Sequence, residues 1–369
     1  MDRTVLNKTL LDHLESMPNV KFFFQHKLIS VDFAKKLAWF ERHTKSDDPI
    51  RGFEIEVPFS FMVGADGAHS AVRYHLQKYV PMSYQQEYID KLWCQFHIPP
   101  SSSGDFRLPP HYLHIWPQDE SMFIALPNLD KSFTATLFHT RAGFDDLDAS
   151  GQVIEYFSKN FPGVIPSLIT PDDLRNQYST NQHLPLISIK CTPYHFSASG
   201  VILGDAAHAM VPFYGQGMNA GLEDVRVLFD MLDLYPHDRA QALQQYSQQR
   251  TPDAHTINDL ALGNYQEMAT DVKKPLYLLR KWLEEKLDLY LPRAGWATQY
   301  SRVTFSNMRY SEVQLRARCQ ADILNGVVGV ALVAVVSSGF WFARVGGLQR
   351  GVMKSICVVA QRAQKLLGG

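Results

Sequence analysis

The residues best suited to chemistry fall in one string. Gly204-Asp205-Ala206-Ala207-His208 is followed by Pro212-Phe213-Tyr214-Gly215-Gln216-Gly217-Met218-Asn219-Ala220-Gly221. An acidic residue at a strand end, as Asp205 stands after the apolar Val201–Leu203, can accept hydrogen bonds from the hydroxyls of a sugar or sugar-alcohol chain. Gly204, Gly215 and Gly217 permit a loop whose backbone N–H groups face a ligand. The spacing predicts a helix from Met218 to about Leu234. Its partially positive N-terminal end would favour negative charge on that ligand. A glycine loop merely capped by Asn219 is the bland reading of the same residues.

A second string, Gly64-Ala65-Asp66-Gly67-Ala68-His69-Ser70-Ala71-Val72-Arg73, follows the apolar run Phe59–Val63. Asp-Gly is a common turn signal, so a tight strand-to-helix turn is the competing interpretation. The functional reading is that glycine lets the backbone approach a pyrophosphate, with Arg73 offsetting its charge. His111 and His114 invite a metal reading. Three residues apart on a strand they would face opposite sides, so no metal site is expected. Cys94, Cys191, Cys319 and Cys357 form no CxxC pair, which argues against a zinc site or a disulfide framework.

The elements around these strings give a fold class. Of the 369 residues 46% are hydrophobic and 20% charged, so the chain is globular, and its net charge of −1 gives no reason to expect a nucleic-acid partner. Short strands are expected at Lys21–Phe24, Leu28–Phe33, Ala38–Glu41 and around Phe53, Ile55 and Val57, and a buried one at Phe59–Val63. Strand patterns recur at Trp93–His97, His111–Trp116, Ser121–Leu126, Thr134–His139 and Ile187–Thr192, with one helix at Gly151–Phe161. Long helices are expected between Arg239 and Leu289. The layout is an α/β fold whose nucleotide-binding domain is entered twice, with a β-rich insertion between visits. Its segments are 1–90 and 193–235 (the divided domain), 91–192 (the insertion), 236–320 (helices) and 321–369 (anchor and basic tail).

The tail differs from the rest. Ile323 to Ala343 holds 21 residues without a charge between Asp322 and Arg344, and Arg350, Lys354, Arg362 and Lys365 follow. A bilayer-spanning helix needs roughly 20 mostly apolar residues. A C-terminal membrane anchor is therefore expected.

The two strings, in this order and with a sheet between them, resemble the Asp-Gly and Gly-Asp motifs of the single-component FAD-dependent aromatic hydroxylases. The resemblance implies a Rossmann-like FAD-binding domain and a flavin monooxygenase that uses NADPH and molecular oxygen. It assigns Gly204 and Asp205 to the ribityl chain, and Pro212, Gly215, Gln216, Gly217, Met218 and Asn219 to the isoalloxazine. Asp66, Gly67 and Arg73 go to the pyrophosphate and pyridine nucleotide, and Arg3 joins the cofactor residues.

His111-Tyr112-Leu113-His114-Ile115-Trp116-Pro117 and Met122-Phe123-Ile124-Ala125-Leu126-Pro127-Asn128 resemble the branch of that family acting on L-kynurenine. By that resemblance Leu113, Ile124, Leu126, Phe138 and Phe213 line an aromatic-ring pocket, and Asn264, Met268 and Tyr300 close it. No catalytic acid or base is implied, because the amino group already makes the ring carbon beside it electron-rich. The resemblance also implies residence on the mitochondrial outer membrane. Another aromatic hydroxylase, or an inactive membrane-anchored relative, are the alternatives.

One departure from the family stands out. Its Gly-x-Gly-x-x-Gly turn, which holds the ADP half of FAD, has no counterpart here, and neither do its carboxylate-binding Arg and Tyr. On that basis the segment 1–90 is an incomplete FAD-binding domain. The chain as written is expected to bind FAD weakly and to turn over little kynurenine.

Overall fold

The computed structural model describes residues 3–42, 53–269 and 274–327, together with 329–330, 333–334, 337–338 and 341. It divides into two compact units, Met1–Glu284 and Glu285–Gly369.

The first unit opens with helix α1 (Arg3–Glu15) and an antiparallel sheet ordered β1-β2-β3, from His26–Asp32, Leu37–Arg42 and Phe53–Pro58. Asp32 builds the β1–β2 turn by accepting the N–H groups of Ala34 and Lys35 at 3.0 and 2.9 Å. The strand expected at Lys21–Phe24 does not form. Phe23 and Phe24 are exposed, and the three phenylalanines pair with no strand among the described residues. An apolar run without a neighbour to bond its backbone stays irregular. The expected half-burial of β3 is not met either, since Phe53 is 82% exposed.

Strand β4 (Met62–Gly64) then leads into helix α2 (Ala71–Leu76). Next comes the 16-residue strand β5 (Ser83–Ile98), followed by β6 (His114–Pro117), β7 (Ser121–Pro127) and β8 (Phe133–His139). Helices α3 (Arg141–Ser150), α4 (Val153–Asn160) and α5 (Pro171–Thr180) precede β9 (Leu184–Thr192). The five-stranded sheet is ordered β6-β7-β8-β5-β9, antiparallel throughout.

The insertion is therefore a sheet with three helices on one face. Phe96, Phe123, Phe133 and Leu137 from the strands bury against Phe144, Phe157, Phe161 and Leu174 from the helical side. Burying each such side chain contributes roughly 1.5–3 kcal/mol, which explains why the polar-looking α3 and α5 fold here. The expected strand from His111 begins only at His114, and His111 lies in the preceding turn.

The chain returns through β10 (His195–Phe196) and β11 (Gly200–Ile202). β11 pairs parallel with β4, so the two strings lie at the ends of adjacent strands. Helices α6 (Asp205–His208), α7 (Gly217–Leu234) and α8 (Arg239–Ala269) follow, with a 3-10 turn at Pro212–Tyr214. A second core gathers Val31, Val72, Leu76, Ile202, Val227 and Tyr246 behind this pair. Helix α9 (Pro275–Tyr290) follows.

In the second unit, α10 (Gln299–Phe305) carries Arg302, which donates to Gln320 Oε1 and to the Gly295 carbonyl, both at 2.7 Å. Residues 310–327 are helical. Among the described residues no helix is long and apolar enough to cross a membrane. Much of the expected anchor, 321–369, lies outside the described residues.

Candidate active site

Asp66 sits where β4 ends, and its carboxylate organises the turn into α2. Oδ2 accepts the N–H groups of Ala71 and Val72 at 2.7 and 3.1 Å, and Oδ1 accepts Ser70 Oγ–H at 2.5 Å. Ser70 Oγ in turn accepts Arg73 N–H at 2.9 Å. Three N–H groups that a helix start leaves without backbone partners are thereby satisfied. Gly67 supplies the left-handed φ of 79° between them.

Arg73 is buried rather than extended toward solvent. Its Nη1 donates to the Ala206 carbonyl at 2.7 Å, its Nη2 donates to the Ala68 carbonyl at 2.6 Å, and the guanidinium lies 5.1 Å from the Tyr84 ring centroid. Asp66 and Arg73, expected to meet phosphate and nicotinamide, thus have their bonds within the chain. They shape the loops of both strings. Arg3 opens α1, and its side chain lies outside the described residues.

The second string forms the open loop that its glycines foretell. Gly204 has φ 58° and Gly215 has φ 67°, and a Cβ built on either meets nothing within 4 Å. Asp205 is exposed at the start of α6. The 3-10 turn at Pro212–Tyr214 closes on Gly215, whose N–H reaches the Pro212 carbonyl at 3.0 Å. Gln216 is buried and accepts Asn219 Nδ2–H at 3.1 Å. No side chain caps α7 at Gln216, so the first-turn N–H groups beyond Gly217 open onto the loop, beside the exposed Met218. An exposed carboxylate for hydroxyls, open glycines and a long helix's N-terminus suit a hydroxylated ligand bearing negative charge. The residues present fit a flavin.

Behind the loop lies a buried ionic cluster. Asp224 Oδ2 accepts Gly204 N–H at 2.8 Å and His208 Nε2–H at 2.5 Å, while Oδ1 accepts Arg250 Nε–H at 2.8 Å. Burial alone would raise the Asp224 carboxyl, but the charges and hydrogen bonds of His208 and Arg250 and the Gly204 N–H hold it below the usual carboxylate range.

The aromatic pocket is partly assembled. Phe213 packs on Phe138 with ring centroids 4.9 Å apart, and on Tyr265 at 4.4 Å. Asn264 Nδ2 donates to the Phe213 carbonyl at 2.8 Å and lies 3.3 Å from Met268 Sδ. Strand alternation puts Ile124, Leu126 and Phe138 on the sheet face away from the helices. Leu113 just precedes β6 and is exposed, as is Leu126. Tyr300 belongs to the second unit, where it is exposed on α10.

Sequence reasoning missed Tyr265, whose hydroxyl burial pushes up to about 12, with Asp90 adding to it. Its place next to Asn264 was the available signal. His114 Nε2 lies 2.9 Å from the Pro109 carbonyl, and no metal-holding group of His, Cys, Asp or Glu occurs among the described residues.

Comparison with known proteins agrees with this geometry. The family described as FAD binding domain matches residues 2–261. Kynurenine 3-monooxygenase of Phaeosphaeria nodorum is 71% identical over 373 aligned residues, covering 100% of this chain and 77% of that protein. The Neosartorya fischeri protein of the same name is 55% identical over 362 residues, covering 92% and 71%.

Among solved structures, Klebsiella pneumoniae HpxO complexed with FAD and uric acid shares the fold at a TM-score of 0.55 and 20% identity, covering 77% of this chain and 68% of that one. The tetrameric form of 2-methyl-3-hydroxypyridine-5-carboxylic acid oxygenase does so at 0.56 and 18%, covering 75% and 70%. With a matching FAD-binding family over most of its length and close relatives along all of it, the chain belongs to the kynurenine 3-monooxygenase family of FAD-dependent enzymes.

Proposed function

We propose that this protein hydroxylates L-kynurenine to 3-hydroxykynurenine, using FAD, NADPH and molecular oxygen. The observation that carries the reading is the position of Phe213. It belongs to the loop suited to the flavin, and it packs directly on Phe138 of the sheet. An aromatic substrate lying on that sheet face therefore lies beside the cofactor loop.

When bound, FAD would supply the redox chemistry by which NADPH and molecular oxygen hydroxylate the ring. The chain's own residues bind and orient. Asp205 would hold the ribityl hydroxyls, and the loop from Pro212 to Asn219, with the α7 N-terminus, would favour negative charge on the flavin. Phe138, Phe213, Ile124 and Leu126 present an apolar surface to the kynurenine ring and exclude water from it, with Leu113 at its edge. Asn264 fixes the Phe213 carbonyl, with Met268 beside it. Asp66, Gly67 and Arg73 act by setting the loops. No side-chain acid or base is needed for the ring attack.

The test is NADPH oxidation by the purified, FAD-loaded protein with and without L-kynurenine, with product identified by mass. Kynurenine-stimulated oxidation yielding the 3-hydroxy product supports the reading. Stimulation only by other phenols or anilines would redirect it to another aromatic hydroxylase.

For cellular placement we propose attachment through the uncharged stretch Ile323 to Ala343 to the mitochondrial outer membrane. The apolar length and the basic residues after it support this. Carbonate extraction of mitochondria separates the outcomes, since release into the supernatant would rule out a spanning anchor.

A further inference from the structure

The buried cluster behind the loop is larger than packing requires. Asp224 is fully buried in the middle of α7, and Arg250, equally buried, reaches it from α8. Two facts tie the pair to the cofactor loop. The single oxygen Oδ2 of Asp224 takes the N–H of Gly204 and Nε2–H of His208, the residues on either side of Asp205-Ala206-Ala207. A Cβ at Gly221, one turn before Asp224, would come within 3.6 Å of Gly204 Cα, so helix and loop are in close approach at this point.

Arg250 then fixes the carboxylate from the other side. Its Nε holds Oδ1, while Nη1 holds Glu223 at 3.0 Å and Nη2 the Ala220 carbonyl at 3.4 Å. Ala220 belongs to the first turn of the helix whose N-terminus faces the loop.

Building such a site is costly. A buried carboxylate needs all its lone pairs occupied, and an apolar residue of similar shape would often serve stability as well. The cluster instead fixes a backbone N–H in a left-handed residue, which packing alone cannot do. Gly204, at φ 58°, aims the next residue, Asp205, outward.

We propose that Asp224 is a positioning residue for the flavin site: held by Arg250, its carboxylate clamps Gly204 and His208 and so sets the direction in which the Asp205 carboxylate meets the ribityl hydroxyls. This rests on the assignment of FAD to the loop. Asp224 lies buried behind the loop and acts through Asp205. His208 is the second arm of the clamp.

A double-mutant cycle on FAD affinity tests this. FAD dissociation constants are measured by flavin fluorescence on apoprotein of the wild type, Asp224→Asn, Asp205→Asn and the double variant, with the thermal midpoint of each apoprotein as control. The amide at 224 has one acceptor oxygen and an NH2 that opposes the donors now facing Oδ1 or Oδ2. FAD affinity is expected to fall about tenfold or more in Asp224→Asn, and the same substitution is expected to have little further effect once Asp205 is Asn. His208→Gln, which keeps a donor, is expected to retain most of the affinity.

Independent, multiplicative losses would overturn the proposal, as would a loss in Asp224→Asn accounted for entirely by unfolded protein. Should Asp224→Asn not fold, Arg250→Lys takes its place in the same cycle, with the same two outcomes. Wild-type protein that takes up no FAD would sink the cofactor assignment and this inference with it. Uptake with multiplicative effects would sink this inference alone.

Discussion

Nη1 of Arg73 lies 2.7 Å from the carbonyl oxygen of Ala206, joining residues 133 apart in sequence. Its partner bond to Ala68 makes Arg73 a tie between the two glycine-bearing strings. Arg73→Ala is expected to leave the buried Ala206 carbonyl without this donor, at about 1–3 kcal/mol, and the part-buried Ala68 carbonyl at a smaller loss. Arg73→Lys should lose less, because one donor still reaches. Urea midpoints, compared with FAD affinity, check this. Affinity lost in Arg73→Ala with an unchanged midpoint would mean that the side chain serves the ligand directly.

Gly64 is a second constraint on the same loops. A Cβ there would stand 2.7 Å from Val72 Cβ and 3.0 Å from Ile202 Cγ2, both on rigid, packed residues. Gly64→Ala is therefore expected to destabilise by about 1–3 kcal/mol and to loosen the Asp66 turn. Thermal unfolding of the variant decides, and a midpoint equal to wild type would contradict the packing described.

Asn264 bears on substrate rather than cofactor. Asn264→Ala removes one hydrogen bond to the Phe213 carbonyl, a loss of about 0.5–1.5 kcal/mol. If Phe213 is the ring's neighbour, the KM for kynurenine should rise roughly threefold to tenfold. FAD affinity should stay near that of wild type. Steady-state kinetics and flavin titration on the same preparation distinguish this from a general loosening.

Acid should weaken the fold already in the range where histidines titrate. Burial lowers the proton affinity of His75, His139, His195 and His255 below the ordinary value of 6.5. Each imidazole binds a proton more readily unfolded than folded. Stability is thus complete above about pH 6.5 and declines as the pH drops below it. Asp224, also lowered, adds a further loss at more acid pH. Urea midpoints measured across this range are expected to fall steadily, and a flat profile down to about pH 5 would refute the assignment of neutral, buried imidazoles.

Much of the site could be read from the chain because its signals are local. A strand, a glycine-bearing turn and a helix lie within one string, and Asp205, Gly215 and Gly217 stand where that string puts them. Helices α3 and α5 were hidden by polar composition. The Thr170–Asp173 pair, in which Thr170 Oγ1 accepts the Asp173 N–H and donates to its carboxylate, was a readable start signal that the strand pattern overshadowed. The tie that Arg73 makes was not legible, because its partner carbonyl at Ala206 is brought to it by the pairing of β4 with β11. The Asp224–Arg250 pair spans 26 residues and two helices, and no periodicity announces it.

Strand β5 has a last consequence. Near its start Tyr84 lies against the Arg73 guanidinium, and farther along Cys94, Phe96 and Ile98 point into the core of the insertion. One strand thus runs from the Arg73 tie to the core of the insertion, and its pairing with β9 shifts register between Tyr88 and Leu92. Any bend of the insertion against the turn that Arg73 ties would fall at that shift.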